Sequence, residues 1–209
     1  MQRYDIINSL INKFGYKYYL EIGFAHGGNF ELINCDNKSS VDPGFEVEYN
    51  GAEYKMTSDD FFQKLEHGTL NRNPNSKWDI IFIDGMHLAE YVLRDIKNSL
   101  NHLSDNGTIV LHDCSPPEID FAREDYYAMN KGWNGTVWKS IYHLRVTRED
   151  LIISVVDTDY GVGIIRKGSS KAIPLDNPFY EYNKMSINRN EALGLLSPDQ
   201  FISWIGSNL

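Results

Sequence analysis

Continuous apolar runs alternate along the chain with segments in which apolar residues recur at helical spacing. The runs at residues 18–22, 78–83 and 108–111 are typical of parallel strands that are covered on both faces. Weaker patterns predict strands at 39–43 and 54–57. Helical spacing is found in two sets of residues, Ile7, Leu10, Ile11 and Phe14, and Val92, Leu93, Ile96 and Leu100. The alternation predicts an α/β fold with a Rossmann-like, doubly wound, mostly parallel sheet.

The pattern changes beyond the two prolines at 116–117. Residues 136–144 predict a further helix. Two β-rich runs follow at 151–156 and 161–166, and a short polar turn separates them. Such a pair is typical of a hairpin. We therefore expect a C-terminal antiparallel hairpin that closes the parallel sheet.

The length of 209 residues suffices for one sizeable core. We predict a single domain over residues 1–209, with a cofactor-binding core at 15–117. The segments 118–150 and 172–209 are expected to cover an acceptor or to be accessory. Aromatic residues in the tail suit either a lid or a subunit contact, so a homo-oligomer is an open alternative.

Composition excludes several classes of partner. The net charge of −9 speaks against non-specific binding to nucleic acid. No stretch approaches the roughly 18 apolar residues that a membrane span needs. Cys35 and Cys114 are the only cysteines, which gives no disulfide framework and favours a reducing cytoplasm. The expected partner is a small molecule.

A glycine-rich turn at residues 20–30 follows the first predicted strand. Such turns hold nucleotide-like cofactors, because glycine lets a ligand approach the backbone closely. The dinucleotide pattern G-x-G-x-x-G fits poorly, since Ala25 takes the place of its middle glycine. The alternative is an E-x-G-x-x-x-G turn made by Glu21, Gly23 and Gly27. That turn would cradle the methionine part of S-adenosylmethionine, and it resembles the class I methyltransferases that use this cofactor.

Three further residues are candidates for cofactor contacts. Asp42 ends the second predicted strand, where a carboxylate can accept hydrogen bonds from both ribose hydroxyls. Asp42 also precedes a proline, so it reads equally as an ordinary turn residue. Ser58 and Asp59 follow the weak strand at 54–57, where this fold usually meets the adenine. The same two residues are equally typical of an ordinary helix cap.

Polar side chains follow two of the long apolar strands directly. Asp84 and His87 follow the strand at 78–83, and His112 and Asp113 follow the next strand. The carboxyl ends of adjacent parallel strands lie about 5 Å apart, so these side chains are expected to converge. Carboxylates and imidazoles together suit a divalent metal. They equally suit an acid–base cluster.

The segment from Phe82 to Pro117 resembles the bacterial methyltransferase-domain family often called type 24. The resemblance rests on I-D-G-x-H after one strand and H-D after the next. This family is similar to metal-dependent sugar O-methyltransferases. The resemblance implies Asp84 as a metal ligand, His87 as the base, and His112 with Asp113 as the second pair of ligands.

One residue departs from the pattern of the sugar enzymes. His112 stands where those enzymes keep an acid. An imidazole in place of a hard oxygen weakens Mg²⁺ and favours Mn²⁺, Zn²⁺ or iron. The departure also leaves open that no metal binds and that His112 itself moves protons.

The segment after the prolines is rich in aromatic residues that suit sugar or aromatic acceptors, namely Tyr126, Tyr127, Trp133 and Trp138. Trp133 and Trp138 equally suit packing of the added helix on the sheet. Lys139 can face an anionic acceptor or solvent, and Cys114 can be a ligand or a small buried residue.

The combined prediction is S-adenosylmethionine-dependent O-methylation of a small hydroxylated acceptor, with a sugar or glycoside as the candidate class and with metal assistance from Mg²⁺, Mn²⁺ or Zn²⁺. Catalytic roles fall to His87, Asp84 and Asp113, and Asp84 is also expected to face the cofactor. Two rivals remain open. One is a NAD-dependent oxidoreductase of Rossmann type, and the other is a non-catalytic binding protein on the same fold.

Overall fold

The computed structural model describes residues 1–47, 50–128 and 131–207. Within these residues the strands are β1 Tyr18–Ile22, β2 Asn37–Val41, β3 Trp78–Ile83, β4 Leu103–Leu111, β5 Leu151–Val156, β6 Val162–Lys167 and β7 Leu195–Leu196. The helices are α1 Arg3–Phe14, α2 Gly28–Glu31, α3 Ser58–Glu66, α4 Ala89–His102, α5 Val137–Thr147, α6 Tyr182–Ile187, α7 Arg189–Leu193 and α8 Pro198–Gly206. Two short 3-10 turns lie at Ile119–Ala122 and Tyr126–Ala128.

All seven of these strands join one sheet in the order β2-β1-β3-β4-β6-β5-β7. Strands β2, β1, β3 and β4 run parallel, and β6 pairs antiparallel with both β4 and β5. The doubly wound, mostly parallel sheet is therefore confirmed, together with the closing hairpin. The hairpin strands differ from the predicted ones by a single residue at each end of β6.

Alternate residues of the central strands serve two separate cores, because side chains of a strand point to opposite faces. On one face, Ile80 and Phe82 of β3 pack with apolar residues of α1 and α8. On the other face, Ile81 and Ile83 pack with apolar residues of α3, α4 and α5. Helices thus cover both faces, which is why these strands read as continuous apolar runs.

One predicted strand is wrong. Residues 54–57 form only an isolated bridge between Tyr54 and Val41. The amide of Tyr54 donates to the Ser40 carbonyl and its own carbonyl accepts from Asp42, and the chain then turns into α3. A few β-prone residues without a longer pairing partner do not extend a sheet. The side-chain cap of α3 is Thr57 and not Ser58.

The ends of the parallel strands lie side by side and define one edge of the sheet. The ladder continues for one residue past β3 and β4, since Asp84 N donates to Ile22 O and His112 N donates to Ile83 O. The antiparallel hairpin brings its turn, residues 157–161, to the same edge. Within the described residues no helix is long and apolar enough to cross a membrane.

Candidate active site

The four side chains predicted at the strand ends do converge. Asp84 Oδ1 lies 3.3 Å from His87 Nε2 and 3.3 Å from His112 Nδ1. Asp113 Oδ2 lies 3.1 Å from His87 Nδ1 and 3.4 Å from His112 Nδ1. Each carboxylate therefore faces both imidazoles, and the cluster forms at the carboxyl edge of β3 and β4.

The electrostatics of the cluster follow from this close pairing. Burial favours the neutral acid, but His112 and His87 outweigh it and lower the pKa of Asp84. Burial likewise disfavours imidazolium, but Asp84 and Asp113 outweigh it and raise the pKa of His87. The same balance of burial against Asp84, Asp113 and Asp159 raises the pKa of His112. Asp84 is therefore ionised near neutral pH. Its negative charge favours the protonated form of the neighbouring imidazoles.

Asp113 has a backbone conformation that side-chain-bearing residues rarely adopt. Its φ is +61°, in the left-handed region. Asn134 Nδ2 donates to Asp113 Oδ1 at 2.7 Å and leaves Oδ2 for the two histidines. Residues held in strained conformations cluster at functional sites, because the surrounding structure must over-determine them. The strain supports a functional role for Asp113.

The segment 133–136 packs directly on the loop that carries His87. The Trp133 carbonyl lies 3.2 Å from His87 Nδ1, and the two rings stack with centroids 5.0 Å apart. Thr136 N donates to the His87 carbonyl at 2.7 Å. Gly135 has φ +58°, and a Cβ there would collide with the His87 carbonyl oxygen. This segment therefore fixes the position and ring orientation of His87.

Two residues that the sequence analysis did not single out also enter the site. Arg3 Nη1 lies 2.8 Å from His112 Nε2 and donates to Asp159 Oδ2 at 2.8 Å. Arg3 Nε lies 3.8 Å from Asp84 Oδ2. Burial opposes ionisation of Asp159, but His112 and Arg3 outweigh it and lower the pKa of this carboxyl to about 2. Arg3 and Asp159 thus close the side of the cluster away from β3.

The glycine turn lies against the cluster. Gly23 has φ +91°, and a Cβ there would collide with the backbone of Asp84. Gly27 is the residue before α2, and it lies under the ring of Phe24. The end of β1 therefore touches the end of β3, so a ligand on this turn would lie beside Asp84.

Glu21 is buried beneath the turn and holds it in place. Tyr19 Oη donates to Glu21 Oε2, and Asn29 Nδ2 donates to the same oxygen at 2.9 Å. Burial raises the pKa of Glu21 to about 7, although the two hydrogen bonds oppose that shift. Glu21 thus joins the end of β1 to the start of α2.

Asp42 directly follows β2, and its side chain reaches the same turn. Its Oδ2 accepts from Ala25 N at 2.9 Å. Its Oδ1 accepts from Gly44 N at 2.7 Å and from Asn50 Nδ2 at 2.9 Å. A carboxylate has about four lone-pair directions. The side chain thus links two loops and keeps capacity for a further donor.

Ser58 and Asp59 occupy the first turn of α3. Asp59 is exposed and forms an ion pair with Arg94, in which Arg94 Nη2 lies 3.0 Å from Asp59 Oδ2. Asp95 of α4 is buried close to Ser58, and burial raises the pKa of Asp95 to about 7 although the Ser58 hydrogen bond opposes it. Both predicted residues therefore also have structural partners on α4.

A cavity of about 340 Å³ opens on the side of the cluster opposite the glycine turn. His112 and Asp113 form its floor. Its walls come from segments outside the parallel strands, namely Gln2, Arg3, Phe121, Gly132, Trp133, Asn134, Asp159 and Tyr160. Three of these are aromatic, and the Phe121 and Tyr160 rings stack with centroids 6.1 Å apart. The cavity combines flat apolar faces with hydrogen-bonding groups.

A possible metal site lies within the cluster. Asp84, His87 and Asp113 each offer one ligand atom, and these atoms all lie within 4.8 Å of one another. His112 faces the same carboxylates through Nδ1, whereas its Nε2 is engaged by Arg3. Two carboxylate oxygens and an imidazole nitrogen fit a divalent ion.

The remaining aromatic and polar candidates divide between site and core. Trp138 and Cys114 are buried in the core cluster that contains α5. Lys139 Nζ forms an ion pair with Glu124 at 3.3 Å. Tyr126 packs edge-on against Trp133, with centroids 5.2 Å apart. Part of this covering segment, residues 129–130, lies outside the described residues.

Residues 20–114 match the family model described as a methyltransferase domain. A search among curated proteins gives no significant match. The fold has many solved counterparts. A putative O-methyltransferase from Klebsiella pneumoniae superposes with a TM-score of 0.55 at 12% identity, and the match covers 80% of each chain.

Two other counterparts were solved with S-adenosylhomocysteine (SAH) bound. The Podospora anserina methyltransferase PaMTH1 has a TM-score of 0.52 at 19% identity, covering 80% of this chain and 78% of that one. The O-methyltransferase from Bacillus cereus has a TM-score of 0.53 at 13% identity, covering 79% and 80%. At these identities the likeness shows the fold.

The strand order and the helices on both faces of the sheet give the fold of class I methyltransferases. The family match agrees with this fold and covers residues 20–114 of the 209. The sequence-based assignment to S-adenosylmethionine-dependent methyltransferases is thereby confirmed. The oxidoreductase rival is set aside.

Proposed function

We propose that the protein transfers the methyl group of S-adenosylmethionine to a hydroxyl oxygen of a small acceptor, with a sugar or glycoside as the preferred class. The observation that carries this proposal is the cluster of two aspartates and two histidines directly beside the glycine turn. Methyl transfer asks little covalent chemistry of the protein, because the sulfonium already activates the methyl group. The main task is to align oxygen, carbon and sulfur.

The residues around the turn suit the cofactor. In this proposal Glu21, Gly23 and Gly27 form the methionine part of the site, and Asp42 accepts from the ribose hydroxyls. The spare acceptor capacity of Asp42 supports its role. Ser58 and Asp59 are proposed near the adenine, and Asp84 near the sulfonium.

When bound, the cofactor supplies the methyl group, and a divalent ion lowers the pKa of the acceptor hydroxyl. The protein's own residues hold and relay the proton. His87 is the proposed base and takes the hydroxyl proton at Nε2. With its proton on Nδ1, donated to the Trp133 carbonyl 3.2 Å away, His87 would keep the Nε2 lone pair free to accept. Asp84, 3.3 Å away, stabilises the imidazolium that results.

The ion would be held by Asp84 and Asp113 together with one histidine. The resemblance to the sugar enzymes assigns His112 as the nitrogen ligand and His87 as the base. The group Asp84, His87 and Asp113 is an alternative set, but a metal on His87 Nε2 would leave that nitrogen unable to act as the base. Mn²⁺ and Zn²⁺ suit either set better than Mg²⁺, because one ligand is nitrogen.

The cavity supports a neutral, hydroxylated acceptor. Its volume of about 340 Å³ lies at the lower end of the range for ligand pockets, so it suits a single ring or a small glycoside. Aromatic side chains provide flat apolar faces for a sugar ring. Asn134 and Asp159 provide hydrogen-bonding groups, and the surrounding carboxylates disfavour an anionic acceptor.

The test is a methyl-transfer screen. The protein is incubated with S-adenosylmethionine and a panel of monosaccharides, glycosides and catechols, with Mn²⁺ or with EDTA. Mass spectrometry measures SAH and the methylated product. We expect product with at least one hydroxylated acceptor, and its loss on Asp113→Asn. Asp105→Asn, at an exposed aspartate of β4, is the matched control and should retain turnover.

Two outcomes would contradict the proposal. Calorimetry that detects no binding of SAH would remove the cofactor assignment. Full turnover of Asp113→Asn would separate the cluster from the chemistry. Equal turnover with EDTA and with Mn²⁺ would exclude only the metal assistance. The proposed acid–base role of the cluster would stand.

The single-domain organisation over residues 1–209 and a homo-oligomeric state stay predictions. Limited proteolysis and light scattering would test them. The first is supported by a sheet that takes strands from both halves of the chain.

A further inference from the structure

The two oxygens of Asp42 are held by different segments of the chain. Oδ2 accepts from Ala25 N of the glycine turn at 2.9 Å, and Ala25 has a left-handed φ of +44°. Oδ1 accepts from Gly44 N at 2.7 Å and from Asn50 Nδ2 at 2.9 Å. Oδ2 therefore faces the glycine turn, whereas Oδ1 faces the segment that follows β2.

Asn50 is a buried polar residue outside the helices and strands. Only 6% of its surface is exposed. A buried amide costs free energy unless its polar atoms are hydrogen-bonded. Here Nδ2 donates to Asp42, and Oδ1 accepts from Ala52 N at 3.3 Å. Burial alone would favour an apolar residue at this position, so the hydrogen bonds are what the asparagine contributes.

The partners of Asn50 determine which end of its amide faces Asp42. Asp42 Oδ1 already takes the N–H of Gly44, so this oxygen acts as an acceptor. Only the nitrogen of an amide side chain can donate. The opposite end meets the N–H of Ala52, which needs the amide oxygen as its acceptor. Both neighbours therefore require the same orientation of the amide.

Two glycines allow this close arrangement. Gly44 has φ +77°, and a Cβ there would lie 2.9 Å from Asn50 Nδ2. A Cβ on Gly51 would lie 3.5 Å from the ring of Phe24, which belongs to the glycine turn. The amide of Asn50 is thus brought close to Asp42, and the residue after it lies against the turn.

A carboxylate that binds a ribose must present an unused lone pair in a fixed direction. Oδ1 of Asp42 has two N–H donors and Oδ2 has one, so the capacity that remains lies mainly on Oδ2. The terminal torsion of an aspartate is broad and roughly two-fold. The direction of Oδ2 therefore depends on what holds Oδ1.

We infer, on the proposed function, that Asn50 is a positioning residue for donor binding. It holds Asp42 Oδ1 and thereby fixes Oδ2 in the orientation that meets the ribose. Asn50 acts through Asp42 and does not itself bind the donor. Its contribution to donor affinity should therefore exist only while the Asp42 carboxylate and the ribose hydroxyls are both present.

Calorimetry of the full chain with SAH tests the inference. Asn50→Ala should weaken SAH binding by about 3- to 10-fold, the effect of one hydrogen bond. Asn50→Asp keeps the shape and the acceptor for Ala52 N but removes the donor, so its loss should be at least as large. Asn75→Ala is the matched control and should bind SAH as the wild type does, because Asn75 is exposed in the loop before β3, at the opposite edge of the sheet.

A double-mutant cycle separates positioning from a general loosening of the fold. In the Asp42→Ala background, Asn50→Ala should change SAH affinity by less than about twofold, because no carboxylate is left to orient. The 2′,3′-dideoxy analogue of SAH should likewise bind the wild type and Asn50→Ala with equal affinity. A loosened fold would instead lower affinity in both backgrounds and for both ligands.

Additive losses in the cycle overturn the inference, and so does unchanged SAH affinity in both Asn50 variants. Either result leaves SAH binding by the wild type, and with it the proposed function, standing. If one Asn50 variant fails to fold, the other carries the cycle. Wild-type protein that binds no SAH contradicts the proposed function and the inference together.

Discussion

Replacing Gly135 by alanine tests whether the segment 133–136 is locked against His87. The φ of +58° alone makes alanine cost about 1–2 kcal/mol. The new Cβ would also collide with the carbonyl oxygen of His87. That overlap adds about 1–3 kcal/mol if neighbouring groups shift to relieve it. The free energy of unfolding should therefore fall by about 2–5 kcal/mol in urea denaturation.

Two other glycines separate the contributions. Gly15 has φ +67° with no neighbour within 4 Å of a new Cβ, so Gly15→Ala should show the backbone cost alone. Gly206 lies in open space at the end of α8 without a positive φ, so Gly206→Ala should not lower stability. If Gly135→Ala lost no more stability than Gly15→Ala, the close packing of segment 133–136 on His87 would be refuted.

Three further outcomes are expected. Asp42→Ala should weaken SAH binding in calorimetry by at least about tenfold, because a charge-assisted hydrogen bond contributes about 1.5–3 kcal/mol; unchanged affinity would exclude the ribose role. His87→Ala should spare SAH binding and lower turnover by about 10²–10⁴-fold, and a loss of Mn²⁺ affinity would instead identify His87 as a ligand and exclude it as the base. Burial raises the pKa of Asp95 from 3.8 to about 7, so the folded state holds its proton more tightly than the unfolded chain. The contribution of Asp95 to stability should therefore be greatest below about pH 4 and fall by about 4 kcal/mol as the pH rises through 7, a loss that Asp95→Asn should remove. Glu21 adds a second slope of the same sign, so denaturation curves of Asp95→Asn should keep the part due to Glu21.

The strands of the sheet were predictable because each is marked by residues that are adjacent in the sequence. A strand covered on both faces is mostly apolar, and β1 and β3 each have one charged residue, Glu21 and Asp79, among otherwise apolar or aromatic ones. The convergence of Asp84 with Asp113 followed from the same cause, since polar residues directly after adjacent parallel strands must meet at one edge. The strand at 54–57 was mispredicted because β-propensity does not report whether a pairing partner exists.

Other parts of the site depend on contacts without a local pattern. Arg3 and Asp159 are 156 positions apart, and Arg3 and His112 are 109 positions apart. Nothing near Arg3 distinguishes it from an ordinary first-turn arginine of a helix. Asn134, 21 positions from Asp113, stands in a glycine-containing turn that reads as a loop. The positive φ of Asp113 could not be predicted either, because this position holds neither glycine nor asparagine.

The antiparallel return of β6 beside β4 has a consequence for how such enzymes diversify. A parallel neighbour would contribute only one strand terminus to this rim, whereas the hairpin contributes a complete reversal of five residues, 157–161. The reversal contacts the site through Asp159, which lies beside His112, whereas the cradle around Gly23 belongs to the opposite half of the sheet. On the proposed function, substitutions in the reversal would therefore act on the acceptor side of the cluster and leave the donor cradle in place.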